Sequence, residues 1–338
     1  MKRGLVIAAG LLITLVLTLA AFGLDVPSAL RTLWQGAAGD GIGLSRTAVK
    51  TTPLLLTALG ILIAWRAKMF NIGGEGQFIM GGLLGATLFR FAPSLAPGLL
   101  NLSILLLSMV GGALYAGLAA WLQVKRGVQV VISTILLNFI ALQVLEYSLN
   151  GPLRERSGQL PITDRLPNEA MLMRFDRQTD LHFGLFIALA LAAVGWVYVH
   201  RTVGGFRLRV VGDNESAARA NGISVGRVQM TAMMISGGLC GLAGGVEYTG
   251  VTGQLSSGFA QNWGFLAIPV ALLGGLDPLG VVLSATYFGG LLAGSENLGR
   301  YTGVGTTVVF VMQAVAVLGF VGLSHWQAQR AKTKAVMA

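Results

Sequence analysis

Asn71, Glu75 and Gln77 fall within the stretch Met69-Phe70-Asn71-Ile72-Gly73-Gly74-Glu75-Gly76-Gln77, and Asn138 lies inside an uncharged apolar run further along. A carboxylate at mid-membrane costs about 2.5–3.5 kcal/mol on insertion scales, so it is tolerated against protein, water or a partner. Interior amides and a carboxyl suit hydrogen bonding to a neutral polar solute better than to a lipid. On that reading Asn71, Glu75, Gln77 and Asn138 line the solute's path. A structural reading of the same residues stays open. Gly73, Gly74 and Gly76 weaken regular helix, and Glu75 then caps or pins a kinked helix near the cytoplasmic surface, close to Lys68. Asn138 and Gln143 equally suit interhelical hydrogen bonds. Glu247 and Glu296, near the outer ends of their spans, extend the set. A chain using Glu75 or Glu247 as a proton carrier would be a proton-coupled secondary transporter with no need of an ATPase.

Three other chemistries find little to build on. Gly222-Ile223-Ser224-Val225-Gly226 fits the G-x-S-x-G pattern. That nucleophile turn needs a strand before it, a helix after it and an Asp/His pair nearby; here it lies in a basic loop. His182, His200 and His325 are scattered over both sides of the membrane, which argues against a histidine metal site. No Gly-Lys pair exists, so no phosphate-binding Walker loop does either. If transport consumes ATP, another polypeptide hydrolyses it.

These residues must be positioned by membrane helices. Of 338 residues 54% are hydrophobic and 11% charged, with mean hydropathy +0.71 and 48 glycines. Ordinary soluble domains carry about a quarter charged residues, so too few charges remain here to cover a water-exposed surface. Composition excludes a soluble enzyme, a disordered chain and a nucleic-acid-binding domain, and makes membrane lipid the surroundings. The net charge of +10 clusters between long apolar runs. The single cysteine, Cys240, excludes an intrachain disulfide framework.

A spanning helix needs about 20 apolar residues. Ten ranges qualify: 4–24, 49–65, 72–91, 99–123, 128–148, 182–200, 230–250, 263–276, 279–297 and 304–324. The second and eighth are short, and Pro269 with repeated glycines suits a broken helix over 248–276. The expectation is an all-α integral membrane protein of about ten transmembrane helices, some short or broken. It forms one transmembrane domain over 1–338, with the first span retained rather than cleaved as a signal. Lys2 and Arg3, Arg66 and Lys68, Lys125 and Arg126, the arginines of 201–229, and Arg330, Lys332 and Lys334 then share one side. An excess of Lys and Arg marks the cytoplasmic side, which places both termini there. Loop 150–181 becomes extracytoplasmic; its basic residues are balanced by Glu155, Asp164, Glu169, Asp176 and Asp180. Gly81/Gly85, Gly237/Gly241, Gly241/Gly245 and Gly290/Gly294 repeat at the four-residue spacing that lets helices approach closely.

The cytoplasmic loop 201–229 contains a short helix of its own. Asp213 or Asn214 suits the N-cap, Glu215 the first turn, and Ser216–Ala220 the helix, while Asn221-Gly222 supplies the stop. Small side chains let such a helix enter a partner's groove. Asp277 as N-cap, with Pro278 at the first helical position, starts the ninth span.

Four stretches in this order resemble the permease subunits of bacterial ABC importers for nucleosides and simple sugars, relatives of the branched-chain amino-acid and ribose permeases. They are Phe70–Gln77, Ser133–Ile140, Gly212–Arg219 running to Gly222-Ile223, and Gly264–Ile268 followed by Ala271–Gly280. The similarity covers about 50–325. Asp277 stands where Asn is the commoner residue, and it keeps the capping role. The resemblance implies an importer with a second membrane permease subunit, a separate ABC ATP-binding subunit and an extracytoplasmic substrate-binding protein, in the bacterial inner membrane. It implies a nucleoside or simple-sugar cargo, and no cofactor in this chain, since ATP and Mg belong to the ATPase. It makes residues 213–222 the coupling helix, with Asp213, Asn214, Glu215, Ala217, Ala218, Arg219 and Gly222 as the contact set.

Overall fold

The computed structural model describes residues 2–175 and 179–302, together with 310, 311, 314 and 315. No strand occurs among these residues; Arg174 and His182 form an isolated bridge. The chain divides into two compact units, Ala48–Thr286 and Met1–Thr47 with Tyr287–Ala338. In chain order the α-helices are α1 (Lys2–Ala21), α2 (Val26–Ala38), α3 (Gly41–Arg66), α4 (Gly74–Phe91), α5 (Pro97–Arg126) and α6 (Val130–Asn150). They continue with α7 (Gly184–Arg201), α8 (Val203–Asp213), α9 (Glu215–Ala220), α10 (Val225–Glu247), α11 (Trp263–Leu273) and α12 (Pro278–Thr302).

Among the described residues, five helices are long and apolar enough to cross a bilayer: α3, α5, α6, α7 and the Pro278–Arg300 stretch of α12. Leu12–Ala21 of α1 and α2 add a sixth only as a pair bent by 119°. Helices also occupy 72–91 and 230–250, but α4 and α10 fall outside the apolar set. Most of α10 and the first two-thirds of α4 are buried. A helix enclosed by other helices can carry glycines and amides that lipid would exclude.

The structure departs from the sequence reading in three places. The second span is not short: α3 begins at Gly41 and runs for 26 residues. Residues 26–38, read as part of a polar interruption, form α2, capped by the Asp25 carboxylate accepting from the Ser28 N–H at 3.1 Å. A search for long apolar runs passes over such a short amphipathic helix. The loop 201–229 holds α8 as well as the expected short helix. As expected, 248–276 is broken and the eighth range is short: α10 gives way to a π-helical turn, Tyr248–Thr252, and α11 is 11 residues long. The tenth range lies outside the described residues apart from 310, 311, 314 and 315, and Asp176, His325, Arg330, Lys332 and Lys334 lie outside them entirely.

In the larger unit, α4, α5 and α10 form the central contact. A Cβ on Gly112 of α5 would fall on the Gly237 carbonyl of α10, and one on Gly81 of α4 would fall on the Gly241 backbone. Gly85 and Gly245 meet the Ser108 side chain of α5 instead, and Gly85 the Ile104 side chain as well. Of the four-residue glycine pairs in the sequence, Gly81, Gly237 and Gly241 set backbone against backbone. In the smaller unit, Leu19, Ala29, Leu33 and Leu298 form the core. Gly294 faces the Leu33 carbonyl there, and Asn297 donates to the Thr32 carbonyl at 3.1 Å. Gly290 has only ordinary contacts, so its pairing with Gly294 does not extend the close approach.

Candidate functional site

The four sequence-predicted pathway residues come together in the larger unit, around the start of α4. Asn71 and Gln77 exchange amide hydrogen bonds, Asn71 Nδ2 to Gln77 Oε1 at 2.9 Å and Gln77 Nε2 to Asn71 Oδ1 at 3.0 Å. Asn71 Oδ1 also accepts from the Gly73 N–H, and Nδ2 reaches Ser236 Oγ of α10 at 2.9 Å. Asn138, on α6, accepts from the Gly76 N–H at 2.8 Å and donates to the Ile72 carbonyl at 2.9 Å. The glycine-rich turn leaves backbone groups without helical partners, and these amides supply them.

Glu75 bridges two helices. It sits in the first turn of α4, and its oxygens accept from the N–H groups of Asn262 at 3.0 Å and Gly264 at 2.7 Å, at the start of α11. One carboxylate thereby serves the positive ends of two helices. The approach is close enough that a Cβ on Gly264 would strike the Glu75 backbone.

Glu75 and Asn138 also line a cavity of about 360 Å³ between α4, α6 and the segment leading into α11. Asn71 and Gln77 do not line it; their polar groups are spent on each other, on Gly73 and on Ser236. Its wall includes residues the sequence reading missed as site residues: Ser257, Gln261, Asn262, Phe139 and Phe265. The available signal was a pair of amides, Gln261-Asn262, next to Trp263 in a stretch without charge. Gln143 is exposed on α6, and Glu247 is buried at the end of α10.

At one end of the same unit lie the termini of several helices and the short helix α9. Arg66 Nε donates to the Leu276 carbonyl at 2.6 Å, Lys68 Nζ to the Asp213 carbonyl at 3.2 Å, and His200 Nε2 lies 3.2 Å from the Asp277 carboxylate. Asp277 Oδ1 accepts from the Leu279 N–H at 3.1 Å and so caps α12, with Pro278 in the first position. In α9 the Asn214 side chain accepts from the Ala217 N–H at 3.1 Å, so Asn214 and not Asp213 is the N-cap. Asn221 closes the other end, donating to the Ala217 carbonyl, and Gly222 takes φ +74°, a left-handed conformation that glycine adopts without strain. Ala218 is buried against Val211 and Val225, and Glu215 accepts from Gln229 Nε2 of α10 at 3.0 Å. Asn214, Ser216, Ala217, Arg219, Ala220 and Gly222 remain exposed. Of the seven expected contact residues Ala218 therefore faces inward. Asn214→Ala removes the cap, worth about 1 kcal/mol. Amide exchange across 215–220 should then speed up about fivefold; unchanged exchange would show that the cap does not hold this helix.

Ser224 stands at the start of α10 with α9 before it, so the strand that a nucleophile turn requires is absent from this place. No group of three His, Cys, Asp or Glu able to hold a metal ion occurs among the described residues.

In the segment 150–181, Asp164 pairs with Arg90 at 3.3 Å and with Arg156 at 3.4 Å. Hydrogen bonds from the Ser157 hydroxyl and the Leu160 N–H hold the Glu155 carboxyl below the usual carboxylate range.

Comparison with known proteins agrees over nearly the whole chain. The guanosine ABC transporter permease protein NupP of Bacillus subtilis is 34% identical, over 94% of this chain and 90% of that protein. The glucose ABC transporter permease protein of Haloferax volcanii is 32% identical, over 89% of this chain and 81% of its own length. The nucleoside ABC transporter permease protein NupB of Lactococcus lactis is 28% identical, over 94% and 90%. No solved structure matches. These relatives give no support to the proton-coupled alternative. The family model described as branched-chain amino acid transport system / permease component matches residues 43–321, and the chain belongs to that family.

Proposed function

We propose that this chain is the membrane permease of an ABC importer for nucleosides, with simple sugars as the second solute class. The relatives named for guanosine, nucleosides and glucose support this range. It acts with a second permease subunit, an extracytoplasmic binding protein and an ATPase that holds ATP and Mg. It lies in the bacterial inner membrane as one permease domain of ten spans, with α4, α10 and α11 counted among them and both termini cytoplasmic. The loop 150–181 receives the binding protein. Solute passes the cavity walled by Glu75 and Asn138, while Asn71 and Gln77 brace the glycine-rich turn at the start of α4. Residues 213–222 form the coupling helix.

The observation that carries this reading is α9: a six-residue helix capped at both ends, with small exposed side chains, bonded through Glu215 to Gln229 of α10. A rigid element of that kind transmits a push. Coupling requires that it dock differently in the nucleotide states of the ATPase. Because Ala217 is exposed while Ala218 is buried, Ala217 is the position that tests docking. In the reconstituted importer, Ala217→Arg should leave assembly of the membrane subunits intact and lower solute-stimulated ATP hydrolysis about tenfold, as expected for a central interface position. Full stimulation in that variant would remove α9 as the docking element. ATP-dependent uptake of labelled guanosine into proteoliposomes tests the function itself; uptake by the purified chain alone under a pH gradient would overturn it.

A further inference from the structure

The segment between the π-helical turn and α11 has no regular structure, yet it runs along α4. Its upper end is tied to the segment 150–181 by the Leu166 and Thr163 N–H groups donating to the Gly253 and Leu255 carbonyls. Midway, the Phe259 ring lies 5.3 Å from that of Phe78 and against Gly82. At the lower end Asn262 meets Glu75. Irregular backbone at membrane depth is tolerated only where it is buried in protein or lines a cavity, and this segment lines one. Broken helices at that depth are where transporters commonly bind solute.

Two details point to a ligand. Gln261 and Asn262 are consecutive non-glycine residues with φ +45° and +63°. Such a conformation costs of order 1 kcal/mol or more per residue and persists where the surroundings enforce it. The Glu75 carboxylate does so here through the Asn262 and Gly264 N–H groups. The side chains of Ser257, Gln261 and Asn262 are also exposed on the cavity and make no hydrogen bond among the described residues. Strain is thus maintained in a place where two amides and a hydroxyl are left with open donors and acceptors. Phe139 and Phe265, both exposed, complete the wall. A cavity of about 360 Å³ lies at the small end of the range for ligand sites.

We propose that Ser257, Gln261 and Asn262, with Phe139 and Phe265, form a base-reading wall: the amides hydrogen-bond the edge of a planar heterocycle and the rings take its face. This rests on the nucleoside reading above and adds that the permease itself, and not only the binding protein, discriminates among bases. A base offers both a flat aromatic face for the two rings and an edge of donors and acceptors for the amides.

The test uses the complete importer in proteoliposomes, with uptake of guanosine, uridine and glucose normalised to assembled complex. Gln261→Asn keeps a residue type that tolerates the left-handed backbone but shortens the amide; Phe265→Leu removes a ring and keeps bulk. Each should change the guanosine-to-uridine ratio about tenfold, the scale of one unmet buried hydrogen bond. The binding protein is the same in every sample, so a changed ratio originates in this chain. An unchanged ratio in both variants, or an equal loss of all solutes, overturns the base-reading wall and leaves the nucleoside importer standing. Wild-type uptake of glucose with none of either nucleoside overturns the nucleoside reading itself.

Discussion

Replacing Glu75 with glutamine is expected to destabilise the permease by about 3 kcal/mol and to reduce uptake at least tenfold. The carboxylate accepts from two backbone N–H groups at the start of α11 while sitting in the first turn of α4. Glutamine keeps one acceptor oxygen and turns an NH2 group toward the other N–H, which leaves buried donors facing each other. Each unmet buried group costs about 1–3 kcal/mol, and the negative charge that met two helix N-termini is lost as well. The site cannot relax by opening: Gly264 lies so close to the Glu75 backbone that the two helices are already in contact. Glu75→Asp keeps the charge but loses about one bond length of reach, so it should fall between wild type and glutamine. The midpoint of thermal unfolding in detergent, measured beside uptake, separates the roles. A glutamine variant with a wild-type midpoint and impaired uptake would make Glu75 a solute ligand alone. Wild-type values of both would falsify any essential role.

That position shows where reading the sequence succeeds and where it stops. Both readings of Glu75, as a wall of the solute path and as a pin for a broken helix, were open from the glycine pattern. In the structure two of its bonds hold the start of α11, and the same side chain lines a cavity. Its partners lie 187 and 189 residues away in sequence, and no local rule encodes such a pairing. The same holds for Asn71, whose partner Ser236 is 165 residues distant. The short helix α9 is the opposite case. Its cap, first-turn acid and glycine stop are all chosen by contacts within a few residues, so its limits are visible in the string of letters. The facing of Ala218 was not, because burial depends on Val211 and Val225 arriving from the helices on either side. Apolar length found the places of the lipid-facing helices and undervalued α2. It could not show that α4 and α10 are enclosed, because enclosure is a property of the neighbours.

Gly241→Ala should be the most damaging one-atom change outside the Glu75 bridge. Gly241 is where α4, α5 and α10 meet: its missing Cβ would fall on the Ser108 carbonyl and 2.8 Å from the Gly112 Cα, while Gly81 faces its own backbone from the other helix. A side chain in the way can rotate; a main-chain carbonyl cannot, so the methyl must separate two helices. Overpacking in a close-packed interior costs about 1–3 kcal/mol and occasionally more, and here one methyl disturbs the contacts of α10 with both neighbours. Separation also lengthens the Asn71–Ser236 bond, one turn before Gly241 along α10. Through that bond the helix that α9 touches meets the glycine-rich turn. Alanine is intrinsically the better helix former by about 1 kcal/mol, so propensity alone predicts the opposite sign. Gly117→Ala supplies the comparison: it lies in α5 and faces α10, but its nearest neighbour is the flexible Met234 side chain at 3.4 Å. The expected result is loss of most assembled complex on detergent extraction for Gly241→Ala, and wild-type recovery or better for Gly117→Ala. Equal recovery of the two would mean that the close approach of α10 to its neighbours contributes nothing that the membrane does not already enforce.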